Sequence, residues 1–418
     1  MARPLFCPNK SCPCHIDPDT PESTSLRKKD WFKRSGTYFT KVRGEVQRYT
    51  CTCCGRGFSD QTFSLDYYVK RIINYNRLAD SLESCASVRA CARTLGCSCD
   101  SVTNRTSRFA RQCISLHSRF LATVEQQEDM AADGFESFAV SQYYPNNIHL
   151  AVGSASQFLY FCDYVTIRRK GTMTAVQSRT REALEKLYRP APQALTSSFA
   201  ELLEHVQQRY LDSSYRPMTL HTDEKSEYRR ALSKNDRLCQ AIAEKSFTHN
   251  QISSRAKRTK HNPLFPVNYL DRELRKDLAE HVRETLRFAR NVNHSMERLW
   301  IYAYRHNFNK RFRINDPVAV QRTHGVQTGG ELKTTRWLAR GLTSRRRFLS
   351  FEKLEQAQGR VWRREHVTPL KGIVRGALRQ ITRQAIRGPV DLEKVRTSLD
   401  VDDLMREVPQ YLPKYALM

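Results

Sequence analysis

The pattern of apolar and polar residues predicts a short β-rich segment near the start of the chain. Residues 30–50, "DWFKRSGTYFTKVRGEVQRYT", have the composition of two strands joined by a turn at Gly44. Pairs of cysteines flank this segment on both sides. We therefore expect residues 1–64 to form a small unit built on a β-hairpin.

Helical periodicity follows in residues 66–120. Leu78 and Leu82 are four residues apart, as on one helix face. The stretch "SVRACARTLGCSCDSVTNRTSRFARQ" then predicts a short helix that ends at Gly96 and a second that begins near Ser98 or Ser101. This order predicts a helix-turn-helix within 65–125, and an ordinary helical hairpin is the alternative.

The central region changes to strand-like runs. "ADGFESFAVSQ", "NNIHLAVGSA" and "QFLYFCDYVTIRRKG" predict three sequential antiparallel strands. "PQALTSSFAELLEHVQQRYL" predicts an amphipathic helix, "PMTLHTDEK" a short strand that ends in acids, and the segment after Asn268 a long helix. Three strands, a helix, a strand and later helices are the order of an RNase H-like fold, which we assign to 126–310. The predicted fold class is therefore multidomain α/β.

Charge points to a polyanionic partner. The 418 residues include 70 Lys and Arg against 43 Asp and Glu, which gives a net charge of +27. A protein that is merely basic and a protein at an anionic membrane surface are the alternatives, although no lipidation motif is present. No apolar run is long enough for a membrane span, and the first residues show no signal peptide. The sequence thus predicts a cytoplasmic protein.

The basic residues are dense in the predicted helical extension, 311–418. Residues 333–387 contain 15 Lys and Arg but three acids. Five of the basic residues follow one another at a spacing of four: Lys371, Arg375, Arg379, Arg383 and Arg387. On a helix they form a stripe, with Ile381 and Ala385 on another face. The stripe could follow a phosphate backbone of DNA, for which we select Arg375, Arg379 and Arg383, or be an ordinary solvated face.

The cysteines near the N-terminus have metal-ligand spacing. Cys7 and Cys12 precede the predicted hairpin, and Cys51 and Cys54 follow it. Two such pairs can close a tetrahedral, structural Zn²⁺ site, which makes residues 1–64 a zinc ribbon. The competing ligands are Cys14, His15 and Cys53. Free buried thiols or a redox pair are the alternatives to zinc.

Three acids fall in elements that converge in an RNase H-like fold. Asp133 lies in the first strand, Asp223 ends the fourth, and Asp271 opens the late helix. Such a set could hold two catalytic Mg²⁺ ions. Each acid alone is weak evidence, because most Asp residues cap helices or end strands, and Glu136 and Glu224 are rivals. In the second helix of the helix-turn-helix, the candidates for DNA contacts are Ser101, Asn104, Arg105 and Arg108.

Several of these stretches resemble the transposases of the insertion-sequence-one family. The resemblance covers roughly residues 1–305 and is carried by "QRYTCTCCGRGFS", "SVRACARTLGCSCDSV", "DGFESF", "LHTDE" and "LDRELRKDLAEHVRETLRFARN". It implies that Asp133 and Asp223 are the first two acids of a DDE triad. The position that corresponds to the family's third acid is Asn268, which has no carboxylate. Asp271, on about the same helical face, is our choice, and Glu273 is second.

The sequence analysis thus predicts a DNA transposase. The zinc ribbon and helix-turn-helix would bind the terminal inverted repeats of an element, and the acids would cleave and join DNA strands. Pairing of two ends in double-stranded DNA implies a homo-oligomer, and the location would be the nucleoid. The alternatives are a catalytically inactive, transposase-derived DNA-binding regulator, and a nuclease or RNA-processing enzyme that cuts without joining strands.

Overall fold

The computed structural model describes residues 4–28, 30–282, 287–317, 322–371 and 375–396. In these ranges the chain has a mixed α/β architecture with two β-sheets. None of the helices described there is both long and apolar enough to cross a membrane.

The N-terminal sheet has three antiparallel strands in the order β1-β2-β3. After the short helix α1 (Ser23–Lys28), the strands are β1 (Phe32–Thr40), β2 (Gly44–Cys51) and β3 (Gly57–Ser59). Gly44 has a φ of +69° at the turn between β1 and β2, a conformation that glycine adopts without strain. The predicted hairpin is confirmed. A 3₁₀ turn, Asp60–Phe63, follows β3.

Three helices follow the first sheet: α2 (Tyr75–Glu83), α3 (Val88–Thr94) and α4 (Cys99–Leu121). The side chain of Ser98 accepts a hydrogen bond from the Ser101 backbone N–H, so Ser98 is the N-cap of α4. The two predicted helices and the turn between them are therefore present. Helix α4 is 23 residues long and is buried on most sides of its C-terminal two thirds.

The second sheet has five strands in the order β6-β5-β4-β7-β8. Its strands are β4 (Met130–Phe138), β5 (Pro145–Gly153), β6 (Leu159–Thr166), β7 (Met218–Asp223) and β8 (Phe247–Ile252). Strands β4, β5 and β6 are antiparallel neighbours, as predicted, whereas β7 runs parallel to both β4 and β8. Because β4 and β7 are parallel and adjacent, their C-terminal ends lie at the same end of the sheet.

Helices cover both faces of this sheet. The helices between β6 and α10 are α5 (Ala175–Leu187), α6 (Ala194–Leu211), α7 (Ser226–Leu232), α8 (Asp236–Ala243), α9 (Phe265–Asp277) and the 3₁₀ turn Ala279–His281. Helix α6 packs on the face that carries Ala132, and its predicted apolar residues, Phe199, Leu202, Leu203 and Val206, are all buried. Helices α9 and α10 (Val292–Phe308) pack on the opposite face, with Ala131 and Phe135.

The described part of the C-terminal region packs against the earlier elements. It contains α11 (His324–Gln327), α12 (Leu332–Arg340), a 3₁₀ turn (Leu349–Phe351), α13 (Gln356–Arg363), α14 (Arg375–Arg387) and α15 (Leu392–Arg396). Trp362 belongs to the core beneath α9 and α10, and Phe348 belongs to the core of the N-terminal sheet. One buried cluster also joins α2–α4 to the second sheet. Buried clusters therefore extend across positions 125 and 310.

Candidate functional site

The four predicted zinc ligands come together at the end of the N-terminal sheet. The Sγ atoms of Cys7, Cys12, Cys51 and Cys54 all lie within 4.8 Å of one another. The distance is 3.5 Å from Cys7 Sγ to Cys54 Sγ and 3.8 Å from Cys12 Sγ to Cys51 Sγ. With Zn–S bonds of about 2.3 Å, the sulfur atoms of a tetrahedral site are about 3.8 Å apart. The cluster therefore has the size and donor chemistry to hold a metal such as zinc.

The loop after Cys51 shapes one side of this cluster. Gly55 has a φ of +70°, and its N–H donates to the Cys51 carbonyl, which closes a tight turn. A backbone hydrogen bond at Arg56 lowers the pKa of Cys54 to about 6. This thiol is thus close to the thiolate form that a metal requires. Burial raises the pKa of Cys7, so its deprotonation depends on a bound cation.

His15, a competing ligand in the sequence, is engaged elsewhere. Its Nδ1 lies 2.7 Å from the Cys7 carbonyl oxygen and its Nε2 lies 2.8 Å from Ser350 Oγ. Neither ring nitrogen is available to a metal in this arrangement. Cys14 and Cys53 instead form a second group that includes Cys51.

Two of the predicted catalytic acids lie side by side on the neighbouring strands β4 and β7 of the second sheet. Asp133 is in β4, and Asp223 is the last residue of β7. Lys225 joins them, because its Nζ lies 3.1 Å from Asp133 Oδ1 and 3.3 Å from Asp223 Oδ2. The Tyr228 hydroxyl is 3.4 Å from both Asp133 Oδ1 and Lys225 Nζ. The sequence analysis did not select Lys225, although this residue stands only two positions after Asp223 in the sequence.

Asp271 faces the same acids from α9. Burial and the neighbouring charge of Asp133 raise the pKa of Asp271 to about 8. Its Oδ1 is buried and accepts no hydrogen bond among the described residues. Burial also raises the pKa of Asp223, and Asp133 adds to this, although Lys225 opposes it. Three carboxylates that lack full charge compensation, one of them with an unpaired oxygen, have the donor chemistry for Mg²⁺.

The other candidate acids are placed differently. Burial by itself would raise the pKa of Glu273, but hydrogen bonds from Lys310 and Lys276 lower it overall. Glu273 is thus paired on another side of α9. Glu136 and Glu224 are exposed. In the described ranges, only the two cysteine groups bring three possible metal ligands within 4.8 Å of one another. The three aspartates therefore form a more open arrangement around Lys225.

We expect Asp271→Asn to stabilise the metal-free protein at pH 8. A carboxyl whose pKa rises from about 4 to about 8 on folding opposes folding once it must ionise. This penalty is absent below pH 4, grows as the pH rises toward 8 and is constant above it. The gain should be on the order of 5 kcal/mol at pH 8, at about 1.4 kcal/mol per pKa unit, and should shrink as the pH falls. Urea unfolding of both proteins between pH 5 and 9 measures it, and a pH-independent difference would contradict the assigned pKa.

The predicted DNA contacts of α4 divide into exposed and buried residues. Asn104 is exposed and Ser101 is partly exposed, near the start of the helix. Arg105, however, is 5% exposed and pairs with Asp66, and Arg108 is 7% exposed and donates to the carbonyls of Leu65 and Tyr67. The prediction that these two arginines contact DNA is corrected: their guanidinium groups bind the preceding loop and hold α4 in place.

Other basic residues surround the turn between α3 and α4. Arg71, Arg89 and Arg93 are exposed and line an open depression at this turn. Arg89 also lines a cleft of about 360 Å³ that reaches Arg290 and Arg298. The sequence analysis missed these residues because it considered only the second helix of the pair. Together these arginines make the surface around the exposed end of α4 positively charged.

The predicted basic stripe lies on α14. Arg379, Arg383 and Arg387 are exposed, whereas Ile381 and Ala385 are fully buried. The buried side packs on α5. Arg375 begins the helix, and its side chain is outside the described part of the structure. The amphipathic helix is confirmed, and its role in binding stays a prediction.

Replacing Arg379 and Arg383 with Ala should weaken binding to all DNA sequences alike. Contacts to phosphates carry no sequence information, and each one lost lowers the salt dependence of binding. We expect the slope of log K against log salt to fall by about 1–2. Fluorescence anisotropy at several salt concentrations measures this slope. Arg363→Ala is the control, because Arg363 is paired with Glu365, and an equal loss in the control would contradict the assignment.

The chain matches none of the known protein-family models and no curated protein. Three features of the structure bear on function: a four-cysteine cluster, a set of three aspartates on β4, β7 and α9, and exposed basic residues on α3 and α14.

Proposed function

We propose that this protein is a metal-dependent DNA transposase with an RNase H-like catalytic unit. The observation that carries the proposal is the placement of Asp133 and Asp223 on neighbouring parallel strands, with Asp271 facing them from α9. Three antiparallel strands followed by two parallel ones, with helices on both faces, fit an RNase H-like order. The stretches that resemble insertion-sequence-one transposases agree with this interpretation.

In the proposed reaction Asp133, Asp223 and Asp271 would hold two Mg²⁺ ions. The chemistry that Mg²⁺ supplies when bound is activation of the attacking water or 3′-hydroxyl and stabilisation of the leaving oxygen. Asp133 and Asp223 orient the site from the rigid sheet, and Asp271 contributes a carboxylate with an unpaired oxygen. The rigid backbone of β4 and β7 holds these side chains in register, which positioning in phosphoryl transfer requires.

Recognition of DNA is assigned to the first part of the chain. The exposed start of α4, with Ser101 and Asn104, would enter the major groove as the second helix of a helix-turn-helix. Arg89 and Arg93 on α3 would contact phosphates beside it. A zinc ribbon at Cys7, Cys12, Cys51 and Cys54 would support this module, and α14 would bind DNA without regard to sequence. Pairing of two element ends would require a homo-oligomer at the nucleoid.

Two observations favour a catalytically inactive DNA-binding regulator as the second candidate. Asn268 stands where the resembling family has its third acid, and Lys225 occupies the space between Asp133 and Asp223. In that case the protein would bind DNA ends without cutting them.

The test is a cleavage and joining assay with the full chain in Mg²⁺ and in Mn²⁺. Duplexes that carry the sequences flanking the coding region are incubated with a supercoiled target plasmid. We expect new 3′-hydroxyl ends and joined products. Cleavage without joining would indicate a nuclease, and specific binding without cleavage would indicate the regulator.

A further inference from the structure

Two cysteines outside the four-ligand cluster come together beside it. Cys14 Sγ lies 3.1 Å from Cys53 Sγ, and both lie within 4.8 Å of Cys51 Sγ. Cys14 is buried and Cys53 is exposed. The two groups of thiols therefore share one member, Cys51.

The chemistry of this group suits a soft metal ion. Thiolates select Zn²⁺ and monovalent copper, and a thiolate has lone pairs for more than one ion. The 3.1 Å separation is longer than a disulfide bond of about 2.05 Å. Both cysteines are free, and Cys53 is exposed.

We propose that Cys14, Cys51 and Cys53 bind a second metal ion, with the Cys51 sulfur bridging it to the four-cysteine site. We assign Zn²⁺, because it binds thiolates and the neighbouring four-cysteine site has the sulfur spacing of a zinc site. The fourth position faces solvent beside Cys53. The second ion therefore exchanges faster than the first, whose ligands are mostly buried.

The experiment measures metal content of the full chain, prepared with zinc and without chelator, by elemental analysis. We expect two Zn²⁺ per chain in the unmodified protein and one in Cys14→Ser and in Cys53→Ser. Cys99→Ser, an exposed cysteine at the start of α4, should keep two. One zinc per chain in the unmodified protein would overturn the proposal, whether Cys14 and Cys53 are then free thiols or a disulfide by mass spectrometry.

A different observation concerns Lys225 at the aspartates. Its ammonium group contacts Asp133, Asp223 and Tyr228 at 3.1–3.4 Å. Lys225 is therefore a fixed cation between two carboxylates. Asp271 accepts no hydrogen bond from Lys225, and its Oδ1 stays unpaired among the described residues.

We propose that Lys225 is an internal cation that a divalent metal displaces. It keeps Asp133 and Asp223 together in the metal-free protein, and the displaced ammonium becomes free to contact a DNA phosphate. This proposal rests on the proposed function, because it takes the three aspartates as metal ligands.

The test compares Mn²⁺ binding by electron paramagnetic resonance in the unmodified full chain and in Lys225→Met, without DNA. We expect binding at least 10-fold tighter in the variant, and a lower melting temperature that Mn²⁺ restores. Lys276→Met, on the paired side of α9, is the control and should bind Mn²⁺ as the unmodified chain does.

Equal or weaker Mn²⁺ binding in Lys225→Met would overturn the role of Lys225, even if DNA cleavage is observed. Tighter binding in Lys225→Met, lost again in the double variant with Asp133→Asn, would support it even if neither protein cleaves DNA. Absence of DNA cleavage in both proteins would reject the transposase function but not the role of Lys225. The two failures are therefore distinguishable.

Discussion

Asp133→Asn and Asp223→Asn are each expected to abolish DNA cleavage while DNA affinity stays within about twofold. Both substitutions keep the shape of the side chain but remove the negative charge that a divalent metal requires. The loss should be on the order of 10³-fold or more, beyond the usual cost of removing a group that merely supports a metal ligand. Cleavage of a labelled duplex in Mg²⁺ and anisotropy with the same duplex measure the two effects.

Glu136→Gln is the matched control, because Glu136 is an exposed acid in the same strand as Asp133. It should retain full cleavage. Asp271→Asn should be inactive, Asn268→Ala mildly affected, and Glu273→Gln affected only through its ion pairs with Lys276 and Lys310. Full activity in Asp271→Asn would remove that residue from the site, and full activity in Asp133→Asn would reject the metal-dependent mechanism.

Elements with strong local patterns could be predicted from the sequence. The apolar runs at β4, β5 and β6 leave no other way to bury their residues than a sheet covered on both faces. The spacing of Cys7, Cys12, Cys51 and Cys54 likewise predicted their approach, because two tight turns at the ends of one hairpin bring the pairs together. In both cases the information lies within a short stretch of chain.

Roles that depend on distant partners could not be predicted. Arg105 and Arg108 have the residue type and helical position of DNA contacts. The loop before α2, however, supplies Asp66, which pairs with Arg105, and two carbonyl oxygens that accept hydrogen bonds from Arg108. Nothing in the local sequence of α4 distinguishes these arginines from exposed ones. The same limit hid the insertion of Phe348 into the core of the N-terminal sheet and of Trp362 into the core that α9 and α10 form with the second sheet.

The electrostatic environment of the aspartates also depends on the fold. Nothing in the sequence distinguishes Lys225 from the other 69 Lys and Arg residues. Its role depends on the parallel pairing of β4 and β7, which places both carboxylates beside its Nζ. The choice between Asp271 and Glu273 was open in the sequence for the same reason. It depends on which side of α9 faces the sheet edge and which side faces Lys310.

Cys51→Ser is expected to remove bound zinc and to unfold the N-terminal sheet. Closure of a four-thiolate site contributes on the order of 10 kcal/mol to folding a unit this small. The aromatic cluster of Phe6, Trp31, Tyr49 and Phe58 is too small to compensate. Phe348 packs on that cluster, and Arg119 pairs with Asp17, Asp19 and Glu352.

Unfolding should therefore spread to residues 345–352 but leave the second sheet intact. Hydrogen exchange read by mass spectrometry should show lost protection in residues 4–64 and 345–352 and retained protection in β4–β7. Cys99→Ser should keep both zinc and protection, because that exposed thiol belongs to neither cysteine group. DNA affinity should fall in Cys51→Ser if this unit contacts the element ends. Full protection of residues 4–64 in a zinc-free protein would mean that the aromatic cluster and its ion pairs, rather than a metal, hold the N-terminal sheet together.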